Sequence, residues 1–135
     1  MKYVLDTNTV SFLMRGDVDV ARELTSHDRT DVFLPQPVAA EIEYGLARLS
    51  RSARKKRLVE RFEIVRGALQ RAIWTDEVSR AFGATKADLE RRGVRLEDFD
   101  VAVAAHALAL NATMVTDNVA HMKRVDTLRI ENWRD

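Results

Sequence analysis

Short apolar runs alternate with longer segments of helical periodicity along the whole chain. Two of the runs, Tyr3-Val4-Leu5 and Thr113-Met114-Val115, are continuous and short, as in strands buried on both faces. Between the runs, apolar residues recur every three or four positions, as on one face of a helix. The pattern predicts strands over residues 2–5, 32–34, 72–74, 113–115 and 128–130. It predicts helices over residues 9–14, 17–27, 38–49, 50–70, 76–92 and 100–110.

Strands separated by helices favour an α/β fold. Such a chain is expected to form a mostly parallel central sheet of four to five strands, with right-handed crossovers and helices on both faces. The chain has 135 residues and shows no internal repeat, low-complexity segment or linker. A single domain over residues 1–135 is the simplest organisation at this length.

Composition removes several classes of protein. There is no cysteine, which excludes disulfides, zinc thiolates and cysteine nucleophiles. The 22 basic and 21 acidic residues give a net charge of +1, so the whole molecule is not a polycation. No apolar run approaches the roughly 18 residues of a membrane span, and the chain opens with a strand rather than a leader. We therefore expect a cytoplasmic protein without a membrane partner.

Acidic side chains stand beside several of the predicted elements. Asp6 directly follows the first strand, Asp117-Asn118 follow the strand 113–115, Glu41 lies in a helix, and Asp100 begins another. The carboxyl ends of parallel strands meet at one edge of a sheet, so these acids can converge there. Each also has a structural alternative: a helix cap for Asp6, a helix-dipole contact for Asp100, a turn for Asp117 and a solvated face for Glu41.

The surroundings of Glu41 favour a role in a site. Gly45 lies one turn later, where it weakens the helix by on the order of 1 kcal/mol relative to alanine but leaves space beside the carboxylate. Glu43 points about 160° away on a regular helix and is the better surface candidate.

Clustered carboxylates raise one another's pKa unless a cation lies between them. Oxygen ligands without cysteine or clustered histidine favour Mg²⁺ or Mn²⁺ over zinc. Such a cation polarises phosphate oxygens and activates water, so the acids predict metal-assisted phosphodiester hydrolysis.

Five short motifs carry a family resemblance. They are Leu5-Asp6-Thr7-Asn8, Glu41-Ile42-Glu43-Tyr44-Gly45, Phe99-Asp100-Val101 continuing to His106-Ala107, Val115-Thr116-Asp117-Asn118, and Glu131-Asn132-Trp133. In this order and spacing they resemble a PIN-domain ribonuclease, most closely the VapC toxins of bacterial toxin–antitoxin pairs. The resemblance covers essentially the whole chain and implies a single PIN domain with a PIN-like three-layer sandwich.

The resemblance also implies roles for matching side chains. Asp6, Glu41 and Asp100 match the family's metal-binding acids, and Asn118 stands at its fourth acidic position and joins them as a catalytic candidate. Asparagine there leaves open whether the site holds one metal or two, and the adjacent Asp117 is expected to point elsewhere. The side chains expected to order the site are Thr7, Asn8 and Thr116.

Activity and partners follow from the same resemblance. It implies an endoribonuclease toxin that uses Mg²⁺, with Mn²⁺ as the alternative, and acts on structured RNA, with transfer RNA favoured. It further implies neutralisation by a cognate VapB-like antitoxin, a homodimer, and a toxin–antitoxin hetero-oligomer.

Residues 48–66 form a strongly basic stretch, with eight basic residues against Glu60 and Glu63. This stretch fits phosphate contact, a solvated helix face, or docking of an acidic partner. The candidate RNA or antitoxin contacts are Arg15, Arg48, Arg51, Lys55 and Lys56.

The histidines do not form a metal set. His106 is turned roughly 240° from Asp100 around its helix, His27 stands alone, and His121 reaches at most the rim of the site.

Two further functions compete with the nuclease. A catalytically degenerate PIN-fold module that binds RNA or a partner is supported by Asn118 alone. A phosphatase of the haloacid-dehalogenase type is disfavoured, because it needs a second acid where this chain has Asn8.

Overall fold

The computed structural model describes residues 1–134. Its sheet has five strands in the order β3-β2-β1-β4-β5, and every neighbouring pair is parallel. The strands are β1 (Tyr3–Leu5), β2 (Val32–Pro35), β3 (Gln70–Ala72), β4 (Thr113–Val115) and β5 (Ile130–Glu131). The expected α/β fold with a parallel sheet of four to five strands is confirmed.

Within residues 1–134, seven α-helices connect the strands, with a short 3-10 turn at Arg29–Asp31 before β2. They are α1 (Thr7–Met14), α2 (Val18–Thr25), α3 (Gln36–Ala47), α4 (Ala53–Ala68), α5 (Asp76–Arg91), α6 (Asp98–Leu110) and α7 (Val119–Met122). The strand order grows outward from β1 in both directions, so right-handed crossovers place α1 to α4 on one face and α5 to α7 on the other. The contacts of α1 with α3 and α4, and of α5 with α6, agree with this layering.

The core is built around the sheet and α6. Residues 101–107, a run of alanine and valine that includes His106, are all buried. Small side chains let this helix lie close to β1 and β4, both of which it contacts. In contrast, α4 buries one residue fully, Phe62. The basic helix therefore covers the sheet from outside, whereas α6 lies within the core.

Two predicted strands are displaced. The third strand is not 72–74 but β3, because Phe33, Leu34 and Pro35 of β2 pair with its three residues. This edge strand tolerates polar residues on its open side, which hides it from an apolar pattern. The last strand is β5 rather than 128–130, because its pairing with β4 begins at Ile130.

Several helices begin at other residues than predicted, each for a local reason. The helix predicted over 50–70 begins at Ala53, since the Ser52 side chain caps it by accepting the Lys55 N–H. The helix predicted from residue 38 begins at Gln36, because Pro37 lies in the first turn of α3, where a missing N–H costs nothing. Asp100 does not begin α6 but lies within its first turn.

No helix within residues 1–134 combines the length and the apolar character needed to cross a membrane.

Replacing Gly83 within α5 and Gly93 just after it with alanine should change stability in opposite directions. Gly83 lies inside α5 with open space around its Cα, whereas Gly93 has a φ of +71° just after the helix. Gly83→Ala should raise the free energy of unfolding by about 0.5–1 kcal/mol, and Gly93→Ala should lower it by about 1–2 kcal/mol. Urea unfolding at one fixed protein concentration measures both. Changes of the same sign would contradict the assigned backbone conformations.

Candidate active site

The candidate site lies where β1 and β4 end side by side. Asp6 directly follows β1, and Thr116 directly follows β4. The Asp6 N–H donates to the carbonyl oxygen of Val115 at 3.0 Å, which joins the two strand ends. From β1 the chain continues to β2 on one side, whereas β4 pairs with β1 on the other side. The strand order therefore reverses between β1 and β4. Ligands of open parallel sheets bind in the crevice at that point.

Asp6 is both a helix cap and a member of the site. Its Oδ1 accepts the backbone N–H of Thr9 at 2.8 Å and so caps α1. The side chain is only 7% exposed. A carboxylate has two oxygens with several acceptor positions, so capping leaves the second oxygen free for another partner.

Burial raises the pKa of Asp6 above its usual value. Hydrogen bonds from the Thr116 hydroxyl and from the backbone N–H of Thr9 act in the opposite direction, and the nearby charge of Asp117 adds to the rise. Thr116 thus lies beside the Asp6 carboxylate.

Asp100 lies close enough to the other acids to respond to their charge. Burial is the largest cause of its raised pKa, followed by the charges of Asp6, Glu41 and Glu97, while His121 lowers it. The structure thus brings together Asp6, Glu41 and Asp100 from three separate elements.

Glu41 is held by Thr7. The Thr7 hydroxyl donates to Glu41 Oε1 at 2.5 Å and ties α1 to α3. Glu43 is exposed and pairs with Arg66 at 2.6 Å, so its predicted surface position is confirmed. A Cβ added at Gly45 would meet no atom within 4 Å, which confirms the expected space along this helix.

Asp117 was expected to point away from the site, and that prediction is wrong. Its Oδ1 accepts Asn8 Nδ2 at 3.2 Å, and it acts on the pKa of Asp6. The cause is a tight turn in which the Asn118 N–H donates to Thr116 Oγ1 at 2.9 Å. This turn brings Asp117 back over α1, where counting strand positions does not place it.

Asn118 faces a different neighbour. Its Oδ1 lies 2.8 Å from His121 Nδ1. An amide oxygen only accepts, so the ring nitrogen is the donor in this contact. Both side chains line a groove together with Asp100. His121, to which the sequence assigned no role, therefore lies next to the candidate site; its position three residues after Asn118 was the available signal.

The other two histidines lie outside the site, as expected. His106 is buried, with Nδ1 2.9 Å from the Ala102 carbonyl oxygen and its ring edge-on to Trp74. His27 stacks on Trp133.

The donor set fits a hard divalent cation. Within residues 1–134, no three histidine, aspartate or glutamate side chains already surround a common point. Mg²⁺ usually takes one or two carboxylates and completes its shell with water and substrate phosphate. Asp100 together with Asp6 and Glu41, whose charges act on it, offers such carboxylates.

A groove of about 360 Å³ extends from Glu41 between α1, α3 and α4. Arg15 lines it, as does Arg54, which the sequence did not single out within the basic stretch. Of the other predicted contacts, Arg48 lies over the Tyr44 ring, and Lys55 Nζ donates to the Leu49 carbonyl oxygen. Arg51 and Lys56 are exposed and do not line this groove.

The whole chain is similar to proteins of known family. The PIN domain family model matches residues 3–128. The chain is 30% identical to Ribonuclease VapC2 of Rickettsia felis over 136 residues, which is 98% of each chain. It is 27% identical to the tRNA(fMet)-specific endonuclease VapC of Salmonella typhimurium over 137 residues, again 98% of each. The crystal structure of VapBC2 from Rickettsia felis bound to a DNA fragment from their promoter superposes with a TM-score of 0.87 and 28% identity, covering 98% of this chain and 99% of that one.

Because the pKa of Asp6 is raised, replacing its carboxylate with a neutral side chain should stabilise the folded protein to a degree that depends on pH. Because the folded pKa is raised, stability from this group is present below the unfolded value, near 3.9, and is lost as pH rises through the folded value. Asp6→Asn should therefore stabilise the metal-free protein by about 0.5–2 kcal/mol at pH 7. The gain should shrink below about pH 4. Thermal melts in EDTA across pH 3–8 measure it.

Asp17→Asn is the control of opposite sign. The pKa of Asp17 is lowered, first by the Val20 N–H that it caps and then by Arg134. Its stabilising effect is present at neutral pH and is lost on acidification, so Asp17→Asn should lower the melting temperature at pH 7. A destabilised Asp6→Asn at pH 7 would contradict the cost assigned to the buried carboxylate.

Proposed function

Since the chain belongs to the PIN domain family, we propose that it is a metal-dependent endoribonuclease toxin of the VapC group, formed by one domain over residues 1–135. It hydrolyses phosphodiester bonds in RNA and is neutralised by a cognate VapB-like antitoxin. The observation that carries this proposal is the convergence of Asp6, Glu41 and Asp100 at the sheet crevice. Similarity to curated ribonucleases over 98% of the chain supports it.

Mg²⁺, with Mn²⁺ as the alternative, would be held by Asp6, Glu41 and Asp100. When bound, the ion polarises the scissile phosphate and lowers the pKa of water. The protein's own part is positional. Thr7 fixes the Glu41 carboxylate, while Thr9 and Thr116 fix that of Asp6. Fixed oxygens need little reorganisation when charge develops in the transition state.

Structured RNA is the proposed substrate, and transfer RNA is the favoured class. The relative from Salmonella typhimurium is by name specific for tRNA(fMet). The basic helix α4 next to the Glu41 groove supplies the charge that attracts a phosphate backbone.

An antitoxin partner, a homodimer and a toxin–antitoxin hetero-oligomer are part of the proposal. The likeness to VapBC2 of Rickettsia felis, at 28% identity, supports the antitoxin. The Glu41 groove has an apolar floor that includes Ile42, Leu46 and Leu58, with Arg15 and Arg54 beside it. A peptide with apolar and acidic side chains is complementary to that surface.

A degenerate binding module remains the second candidate. Its support is Asn118, which offers no carboxylate and hydrogen-bonds His121 instead. RNA binding in EDTA without turnover in Mn²⁺ would favour the module, whereas turnover would exclude it.

The central prediction compares two glutamates of α3. Glu41→Gln should lower the rate of RNA cleavage in Mg²⁺ or Mn²⁺ by at least about 100-fold, a loss typical of removing one preorganised group. Glu43→Gln is the matched control, since it lies on the same helix but pairs with Arg66 at the surface; it should cleave like wild type. Bulk transfer RNA resolved on denaturing gels is the assay, with purified protein free of antitoxin.

Asp6→Asn and Asp100→Asn should lose cleavage to the same degree without a lower melting temperature. EDTA should stop the wild type, and either metal should restore it. Cleavage that survives in EDTA, or in Glu41→Gln at the wild-type rate, would refute a metal nuclease at this site.

A second prediction separates two arginines of α4. Arg54 lines the Glu41 groove, whereas Arg57, also exposed, does not. If Arg54 meets a phosphate, Arg54→Ala should weaken RNA binding and reduce the slope of log affinity against log salt by about one. Arg57→Ala should leave the slope nearer to wild type. Equal effects of both substitutions would indicate a diffuse field instead of a placed contact.

A further inference from the structure

A second and larger groove, of about 920 Å³, opens on the other side of the acids. Its lining comes from the end of α5, the start of α6 and α7, and includes Asp100, Asn118 and His121. Glu41 lines the first groove and not this one, while Asp100 lines this one and not the first. The acid cluster therefore sits between two grooves of different chemistry.

We infer that this second groove holds an unpaired nucleobase next to the phosphodiester that is cut. The inference rests on the proposed nuclease function and deepens it. Continuity with Asp100 places the groove beside the reacting phosphate, and its volume lies within the range of small-molecule sites, roughly 300–1,000 Å³.

Phe99 provides the stacking surface. It precedes Asp100 in the first turn of α6, lines the groove, and is 46% exposed. The residues that follow it in α6, 101–107, are all buried, so Phe99 is the large apolar side chain of this helix that faces solvent. Aromatic side chains bind bases of any sequence by stacking on their flat faces.

Asn118 provides hydrogen-bond donors for the base edge. Its oxygen is occupied by His121 Nδ1–H, and within residues 1–134 its Nδ2 donates to no side chain or backbone oxygen. The hydrogen bond with His121 holds the amide in one orientation. The free amide N–H groups can therefore reach a base carbonyl or ring nitrogen.

The charges of the groove suit a base better than a phosphate. Glu90, Glu97 and Asp98 line it, and the only basic residues among its lining are Lys86 and Arg95. Lys86 is already paired with Asp98 at 3.1 Å. This excess of carboxylates repels a phosphate but accepts hydrogen bonds from an exocyclic amino group. The occupant is thus a base that carries such a group: cytosine, guanine or adenine.

The phosphate backbone then lies on the opposite side of the acids. There Arg15 and Arg54 line the first groove, next to the basic helix α4. The RNA would cross the acid cluster with its backbone towards α4 and one base turned into the second groove.

Cleavage kinetics on modified RNA test the inference. The cut made by the wild type in transfer RNA is mapped and rebuilt in a 12-nucleotide RNA, which is also made with an abasic ribose at either nucleotide flanking the cut. Phe99→Ala should lower kcat/KM on the intact RNA roughly 5- to 150-fold, and Phe99→Trp should restore most of it. Val18→Ala is the control, because this exposed side chain lies outside the groove.

The decisive comparison is whether the effects of Phe99→Ala and of the abasic nucleotide on the cleavage rate depend on each other. If Phe99 stacks on one flanking base, the abasic change at that nucleotide should slow the wild type but not slow Phe99→Ala further. The base site would be overturned if the abasic change at each flanking nucleotide slowed Phe99→Ala as much as it slows the wild type. It would also be overturned if Phe99→Ala cleaved the intact RNA at the wild-type rate. Either result would leave the nuclease function standing.

If no RNA is cleaved, the nuclease function is refuted, and a direct binding measurement then tests the base site separately. Cytidine, guanosine and adenosine should shift the backbone amide NMR signals of residues 95–100 and 118–121, uridine should do so less, and Phe99→Ala should abolish the shifts. Absence of these shifts overturns the inference. A preference of the same amides for an arginine-rich hexapeptide over the nucleosides also overturns it, and would mark the groove as a peptide site.

Discussion

The burial of the Asp6 carboxylate between the ends of two parallel strands is the interaction on which the site depends. Removing a carboxylate from water costs several kcal/mol unless hydrogen bonds replace the lost solvent. Here the Thr9 N–H and the Thr116 hydroxyl supply those bonds, and the Thr9 hydroxyl donates to the Val115 carbonyl oxygen. The network that holds the charge also fixes β1 against β4. The other acids are placed relative to this point, Glu41 through Thr7 and Asp100 through a buried helix.

The composition of α6 explains how Asp100 reaches the others. A run of alanines and valines brings its axis close to the sheet, and the acid in its first turn is carried to the crevice. The outer helix α4 contributes charge with little buried area. The two faces of the sheet therefore differ in chemistry. One face places Asp100 and Phe99 beside a carboxylate-rich groove, and the other presents arginines beside an apolar groove. A nucleic acid strand has a matching asymmetry, because its backbone is charged and its bases are not.

The residues of the site were predictable from sequence to the extent that single elements position them. Asp6 follows an apolar strand, and the 100° step of a helix separates Glu41 from Glu43. The motifs extended this to Asp100 and Thr116, and the full-length similarity agrees with that family. Asp117 and His121 were missed because a hydroxyl–amide turn and a four-residue helix set their directions, and neither leaves a periodic pattern. β3 was displaced because pairing with β2, rather than its own apolar content, defines it.

The distance along the chain between the two halves of the site has a consequence for synthesis. Thr9 and Val115, which meet beside Asp6, are 106 positions apart. Contacts of such separation form late, because the intervening chain must first be ordered. A ribosome making this protein will have released Asp6 and Glu41 long before β4 exists to complete the crevice. The crevice around Asp6 can therefore close only after the ribosome has added residues 113–116, however early the first acids emerge.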